Sequence, residues 1–493
     1  MTTEMMRNNG IMKFFRTVLV VGIISSHFTN LAQADPLPPS VIKALKVARI
    51  PVSGIGVVVR EVTVGKSMIS VNATRSMNPA STMKLLTTYA GLEMLGPAYT
   101  WKTEAYLDGK LDQGVLHGDL ILKGYGDPKL TLEKFWLWLR ELRSRGLREI
   151  RGNLVLDHSA FEPIPYNTPA FDNQPIRPYN MAPDALLLNF NAVRLRFIPD
   201  GETIKVITEP TLAGITLDNR ITAAPLKKDA SLTDSLDTLP SDCSNWDDGI
   251  SAQINDATLL LQGAFPIRCG ECEQYVCLLP PPQYLYAVFR ALWQEMGGTL
   301  NGKLQEASVP GNATLFVVHN SIPLSEVIRD INKFSNNVMA RQLFLSLDGN
   351  SEAAATTTRS ELAIRTWLAQ KNLQFPELVL ENGAGLSRKE RMSPNHMALL
   401  LQSAYRSPFA AEFQASLPIV GVDGTMKKRL KDSAAASYAH LKTGSLDGVK
   451  TVAGYVQSRS GKQWLVVFLI NHPNAAAGQQ AQDALIEWVQ TKH

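Results

Sequence analysis

The stretch from Asn78 to Leu86 is the feature that most constrains the possible fold and chemistry of this chain. It reads Asn-Pro-Ala-Ser-Thr-Met-Lys-Leu-Leu, which is typical of a turn that opens an apolar helix. Positions three apart on a helix share one face, so the Ser81 hydroxyl and the Lys84 amine can meet. A buried lysine beside another positive charge can stay neutral and take the serine's proton. The stretch therefore predicts a serine–lysine catalytic pair, with an ordinary amphipathic helix start as the alternative.

Two further motifs offer groups that can complete such a site. Ser335-Asn336-Asn337 lies in a predicted helical region, 325–345, and supplies a second hydroxyl and an amide. Lys442-Thr443-Gly444-Ser445 lies on a predicted strand, where a glycine often marks the close approach of another backbone or a ligand. Such a strand can receive an extended peptide and hold its terminal carboxylate. The alternative for this motif is a plain edge strand protected by its lysine.

The two ends of the chain carry the elements of one predicted sheet. Two strands are expected between residues 50 and 71, and three strands with a closing helix between 441 and 490. The pattern predicts an α/β (α+β) multidomain protein, with an antiparallel sheet sandwiched by helices. We expect a discontinuous catalytic domain from 35–96 and 280–493. Residues 97–279 read as short strands separated by Pro, Gly and Asn, and are expected to form a large strand-rich insert.

The first 34 residues are typical of a secretory signal peptide. Basic residues precede an apolar run from Thr17 to Ile24, and Ala32-Gln33-Ala34 offers a cleavage site. The run is shorter than the ~20 residues of a membrane span, which disfavours an anchor. We therefore expect export, a periplasmic location and at most loose membrane association.

Composition excludes one class of partner and leaves the cysteines open. The formal charge of +4 on 493 residues is too small to indicate nucleic-acid binding. Export favours disulfides for the four cysteines, in a pairing that the sequence leaves undetermined. A four-cysteine zinc site is the alternative, although the spacing differs from the usual ribbon. The cysteines are Cys243, Cys269, Cys272 and Cys277.

Taken in order, Ser-x-x-Lys, Ser-x-Asn and Lys-Thr-Gly resemble the motif set of penicillin-recognising serine enzymes. The long separation of Ser81 from Ser335, filled by the strand-rich stretch, is similar to that of the class C low-molecular-mass penicillin-binding proteins. These are exported D-alanyl-D-alanine carboxypeptidases and endopeptidases. Their fold is the penicillin-binding transpeptidase/β-lactamase-like one. Other stretches also resemble that family: Gly126-Asp127-Pro128, Tyr179-Asn180, Asn189-Phe190-Asn191, Gly383 to Arg388, Gly424-Thr425 and Gly454-Tyr455.

The resemblance implies a role for each catalytic residue. Ser81 would be the acylated nucleophile and Lys84 its base, although the role of the motif lysine is disputed in the wider superfamily. Ser335 would pass a proton to the leaving D-alanine, and Asn337 would hold the substrate amide. Lys442 would keep Lys84 neutral by like-charge repulsion.

The resemblance also implies a binding surface for the substrate. Thr443 and Ser445, on the strand with Gly444, would bind the terminal carboxylate. The N–H groups of Ser81 and Ser445 would form the oxyanion hole. Asp172 is the candidate for receiving the amino end of the stem peptide, with a turn aspartate as the alternative. Arg388 is expected to border the cleft, with a structural ion pair as the alternative.

The expected substrates are peptidoglycan stem peptides, and β-lactams are the expected inhibitors. We expect no cofactor, no metal and no nucleic acid. A β-lactamase is the nearest alternative, but the sequence identifies no group that would activate a deacylating water. A non-catalytic peptidoglycan-binding protein is the second alternative.

Overall fold

The structure, a computed structural model, describes residues 36–65, 67–164, 171–224, 243, 246–247, 249–349 and 353–492. The predicted signal peptide lies outside the described residues. The helices are α1 (Pro39–Val47), α2 (Lys84–Leu95), α3 (Leu132–Ser144), α4 (Pro281–Glu295), α5 (Leu324–Phe334), α6 (Asn337–Ser346), α7 (Thr357–Gln370), α8 (Pro394–Tyr405), α9 (Ala410–Ser416) and α10 (Gln479–Gln490). The strands of the two chain ends are β1 (Ile55–Glu61), β2 (Ser67–Val71), β16 (Ala439–Leu446), β17 (Val449–Gln457) and β18 (Gln463–Asn471).

The strands between them, numbered in chain order, belong to the middle of the chain. They are β3 (Lys102–Asp112), β4 (Val115–Gly124), β5 (Glu149–Ile150), β6 (Leu154–Asp157), β7 (Val193–Asp200), β8 (Thr203–Glu209), β9 (Thr216–Ala224), β10 (Ile250–Asn255), β11 (Thr258–Pro266), β12 (Cys272–Val276), β13 (Thr299–Leu300), β14 (Leu304–Glu306) and β15 (Thr314–Asn320).

One antiparallel sheet joins the two ends of the chain, as the sequence predicts. Its strand order is β16-β17-β18-β1-β2, so the Lys-Thr-Gly strand lies at an edge. Val58 of β1 is paired with Val467 of β18, which is in turn paired with Ala453 of β17. The side chains alternate between faces, and both faces are buried. Because water is excluded from both sides of the central strands, β1, β17 and β18 are mostly apolar, whereas the edge strands β16 and β2 are partly exposed.

Helices cover both faces of this sheet. Val57 and Val59 pack into a core with residues of α1 and α10. Val58 packs on the opposite face into a larger core with residues of α2 and of α5 to α9. The predicted fold class, an antiparallel sheet sandwiched by helices, is therefore confirmed. The helix α2 that follows Ser81 lies at the centre of the larger core and ends at Gly96, which adopts a φ of 85°.

A second core is formed by the strand-rich middle of the chain. Strands β3 to β6 join β13, β14 and β15 in a seven-stranded sheet, beside the three-stranded sheets β10-β11-β9 and β12-β7-β8. Helix α4 buries Leu285, Phe289 and Trp293 in this core, and β15 pairs with β3. The domain division stays a prediction. Because α4 and β15 pack in the second core, the structure favours an end of the insert near residue 320 over the predicted return to the catalytic domain at 280.

Two local predictions differ from the structure. The stretch 186–191 lies in the region predicted to form short strands, but it contains no strand: a 3-10 turn spans Asn189–Asn191, and all three of these residues have positive φ. The helical region 325–345 is two helices, α5 and α6, broken at Ser335. Among the described helices, none has the length and apolarity needed to cross a bilayer.

The cysteines form one disulfide in the structure. Cys243 is bonded to Cys269, while Cys272 and Cys277 are free thiols. Cys277 is buried, and burial raises the pKa of its thiol to about 12. The expectation of two disulfides is therefore met for one pair only.

Candidate active site

The serine–lysine pair lies where a 3-10 turn runs into α2. The turn spans Ala80–Met83, and α2 begins at Lys84. Ser81 is partly exposed and Lys84 is fully buried beneath it. Lys84 Nζ lies 3.0 Å from Ser81 Oγ, which is within hydrogen-bond reach. The predicted meeting of the two side chains on one helical face is therefore present.

Two other segments fix the Lys84 amine. Its Nζ lies 2.6 Å from Asn337 Oδ1, at the start of α6, and donates to the carbonyl oxygen of Ala384. The side chain of Asn336 caps α6 by accepting from the N–H of Met339. The cap sets where α6 begins, and so where the Asn337 side chain points. Lys84 thus contacts Ser81, the Ser-x-Asn motif and the loop of Ala384, to which the motif analysis assigned no role.

A second serine–lysine pair lies opposite the first. Ser335 ends α5 in the left-handed conformation, with φ 58° and ψ 36°. This backbone is strained for a residue other than glycine, and such strain concentrates at functional sites. Lys442 Nζ donates to Ser335 Oγ at 2.8 Å and to the carbonyl of Thr443 at 2.8 Å. The break in the predicted helix therefore presents the Ser335 hydroxyl to Lys442.

The edge strand β16 closes the site over Ser81. A Cβ on Gly444 would lie 2.8 Å from the Ser81 amide nitrogen, so only glycine permits this approach. Ser445, the next residue, is exposed. The Thr443 hydroxyl lies 2.8 Å from the Thr425 hydroxyl. The structure therefore brings together Ser81 and the predicted carboxylate-binding strand.

Burial sets the protonation of both lysines. It lowers the pKa of Lys442 from 10.5 to about 7. Burial also lowers the pKa of Lys84 well below 10.5. The positive charges of Lys442 and Arg341 lower it further, while the negative charge of Glu390 raises it. A lysine with a strongly lowered pKa can act as a base near neutral pH.

Arg388 and Asp172 lie near a cavity of about 580 Å³, and neither serine–lysine pair lines it. Arg388 lines the cavity, stacks 5.0 Å from the Phe171 ring centroid and donates to the Asp447 carbonyl. Asp172 accepts from the side chains of Tyr179 and Asn180 at 2.7 Å. Among the described residues, the hydrogen bonds of Asp172 all go to positions 174–180, which suits the turn alternative.

Motif reasoning missed four groups around the site. Thr425 lies in a stretch noted only for its family resemblance. Ala384 acts through its backbone, which side-chain patterns do not reveal. Glu390 and Arg341 look like solvated charges in the sequence, and only the tertiary fold places them near Lys84.

Comparison with known proteins agrees with this geometry. Residues 40–492 match the D-Ala-D-Ala carboxypeptidase 3 (S13) family. The chain belongs to that family. It is a serine-type D-Ala-D-Ala carboxypeptidase, as the motif set predicts. A D-alanyl-D-alanine carboxypeptidase from Actinomadura sp. (strain R39) is 27% identical over 448 residues, which cover 87% of this chain and 80% of the relative.

The fold of this S13 chain is also that of solved structures. Penicillin binding protein 4 (dacB) from Haemophilus influenzae superposes with a TM-score of 0.74 at 23% identity, covering 91% of this chain and 99% of that one. A second structure of the same protein, complexed with a β-lactam, gives a TM-score of 0.71 at 23% identity, covering 92% and 99%. The match spans both cores, so the strand-rich middle is part of the shared fold.

Proposed function

We propose that this enzyme cleaves the terminal D-Ala-D-Ala bond of peptidoglycan stem peptides through an acyl-enzyme on Ser81. The observation that carries the proposal is the 3.0 Å contact of Ser81 Oγ with the buried Lys84 amine. A neutral Lys84 takes the hydroxyl proton as Ser81 Oγ attacks the penultimate D-alanine carbonyl. A bond forms between Oγ and the carbonyl carbon, and the carbonyl oxygen becomes an oxyanion. The N–H groups of Ser81 and Ser445 stabilise that oxyanion.

The second pair completes the first half of the reaction. When the tetrahedral intermediate collapses, the peptide C–N bond breaks. The amine of the terminal D-alanine then needs a proton. Ser335 delivers it from its hydroxyl and regains one from the Lys84 ammonium, which restores neutral Lys84. Lys442, held on Ser335 at 2.8 Å, stabilises the serine oxygen during this relay. Water then hydrolyses the ester and frees Ser81.

We propose that the substrate lies along β16. Thr443 and Ser445 bind the terminal carboxylate, and the Asn337 amide nitrogen holds the substrate backbone. The positive charge of Lys442 attracts the carboxylate from behind the strand. A β-lactam enters by the same route and acylates Ser81. We also propose that the enzyme works in the periplasm, after removal of the predicted signal peptide.

Intact-protein mass after brief incubation with benzylpenicillin tests the proposal. The wild type should gain the mass of one penicilloyl group, and Ser81→Ala should gain none. Consumption of the drug without a lasting adduct would point to a β-lactamase instead. Neither adduct nor consumption would favour the non-catalytic peptidoglycan-binding protein. Release of D-alanine from a stem-peptide mimic, lost in Ser81→Ala, would then establish the peptidase.

A further inference from the structure

Glu390 is a fully buried carboxylate that the mechanism above does not use. Its Oε1 accepts the backbone N–H groups of Glu381, Asn382 and Gly383 at 3.1, 3.0 and 3.1 Å. Its Oε2 is also buried and has no hydrogen-bond partner among the described residues. An ionised carboxylate is costly to bury unless donors and cations compensate it. Burial raises the pKa of the Glu390 carboxyl, while the three N–H groups and the charge of Lys84 act to lower it and so favour the ionised form.

The backbone that Glu390 holds forms one wall of the nucleophile's site. The Asn382 side chain ties this loop together, accepting from the Ala384 N–H at 2.9 Å and donating to the Leu386 carbonyl at 3.0 Å. The Ala384 carbonyl accepts from Lys84. A Cβ on Gly385 would lie 1.9 Å from the carbonyl oxygen of Ala80, the residue before the nucleophile. The loop 381–385 therefore contacts both members of the first pair.

Charged groups of both signs act on Lys84. Lys442 and Arg341 are positive, and Glu390 is the negative charge among the described groups that act on Lys84. When Lys84 takes the proton of Ser81 it becomes an ammonium ion in a site without bulk water. Two cations oppose that state, and a carboxylate close behind the loop favours it.

We infer that Glu390 is a positioning residue for acylation. It holds the 381–385 backbone against Lys84 and supplies the negative charge that stabilises the Lys84 ammonium as Ser81 attacks. This inference rests on the proposed function, because it needs Lys84 to be the base. It adds a requirement that the motif residues alone do not contain.

The test is the pH profile of acylation by benzylpenicillin, followed by intact mass, in wild type and Glu390→Gln. Without the negative charge, the pKa of Lys84 falls, so Lys84 stays neutral at lower pH. The acid limb of the profile should then move to lower pH. The maximum rate should fall by about 10- to 100-fold, because a weaker base drives proton transfer less well.

Glu377→Gln is the matched control. Glu377 is another glutamate of this region that accepts a backbone N–H, from Ser393 at 2.8 Å, and it contacts His396. It is not among the groups that act on Lys84. Its loss should lower the thermal stability of the protein while the acid limb stays at the wild-type pH. A Glu390→Gln protein with an unmoved acid limb would overturn the inference and leave Glu390 a structural role.

A second variant covers the case in which Glu390→Gln does not fold. Glu390→Asp keeps the charge but withdraws it from the three N–H groups. Its acylation should be at least about 10-fold slower than wild type, because a misplacement of about 1 Å in the groups that Glu390 positions can cost about 100-fold in rate. A wild-type rate in Glu390→Asp would overturn the positioning claim. Failure of the wild type itself to form an adduct would refute the proposed function instead.

Discussion

Two serine–lysine pairs face each other in this enzyme, and they are alike in geometry. Ser81 lies 3.0 Å from Lys84, and Ser335 lies 2.8 Å from Lys442. Both lysines are fully buried. The first pair comes from one continuous turn and helix. The second joins a helix end to a strand more than a hundred residues later, with a sequence separation of 107.

The difference between the pairs is electrostatic. Burial is what lowers the pKa of Lys442 to about 7. Lys84 is buried equally, but the charge of Lys442 beside it lowers its pKa further. The negative charge of Glu390 acts in the opposite sense and raises it. The proposed reaction needs Lys84 to be neutral while Lys442 keeps its charge. The comparison teaches that neighbouring charges can give two equally buried lysines of one site different parts, one as a base and the other as a cation.

Replacing Lys84, the proposed base, should have the largest effect. Lys84→Arg places a guanidinium that stays charged at every working pH, so it cannot take the Ser81 proton. Acylation by benzylpenicillin should slow by about 10⁴-fold, the upper range for a lost general base. The rate of adduct formation measures this. Near wild-type acylation in Lys84→Arg would mean that Ser81 has another base.

Removing Ser335, the proposed proton relay, should have a smaller effect. Ser335→Ala deletes the hydroxyl that links Lys442 to the leaving group, and kcat for D-alanine release should fall by about 10²-fold. Ser144→Ala is the control, since its exposed hydroxyl donates to the Glu141 carbonyl at the end of α3, a helix that packs on the second core. If Ser335→Ala matched this control in kcat, the second pair would have no part in proton transfer.

A change that loosens the proposed substrate-binding strand β16 should raise KM. Thr425→Val removes the hydroxyl that lies 2.8 Å from the Thr443 hydroxyl, so Thr443, which is proposed to bind the carboxylate, is less well held. A lost hydrogen bond of about 1 kcal/mol predicts a rise of roughly fivefold in KM, with kcat unchanged. Steady-state kinetics with a D-Ala-D-Ala peptide measures KM and kcat separately. A fall in kcat alone would contradict a role limited to binding.

Asp172 should give the smallest effect. If it receives the amino end of the stem peptide, Asp172→Ala should reduce the preference for amino-tipped over plain peptides by about threefold, as expected for an exposed charge pair. The ratio of kcat/KM for the two peptides measures this preference. An unchanged ratio would leave Asp172 as the turn residue that its bonds to Tyr179 and Asn180 describe.

The sequence predicted the parts of this site that depend on local pattern. Ser81 and Lys84 meet because helical spacing places them on one face, and β16 is an edge strand as its motif suggested. The break at Ser335 was hidden, because the apolar spacing of α5 continues into α6. The pairing of β15 with β3 depends on contacts distant in sequence. The burial of Glu390 could not be predicted either, because charged residues surround it in the sequence, which is typical of a solvent-exposed segment.

The pH dependence of wild-type acylation by benzylpenicillin tests the central claim most directly. Acylation needs neutral Lys84, so the rate should rise as pH increases through the lowered pKa of Lys84. Attraction of the drug's carboxylate needs charged Lys442, so the rate should fall as pH passes about 7. The account predicts a bell-shaped profile with its alkaline limb near that pH. A rate that keeps rising toward pH 10.5, the ordinary lysine value, would contradict it.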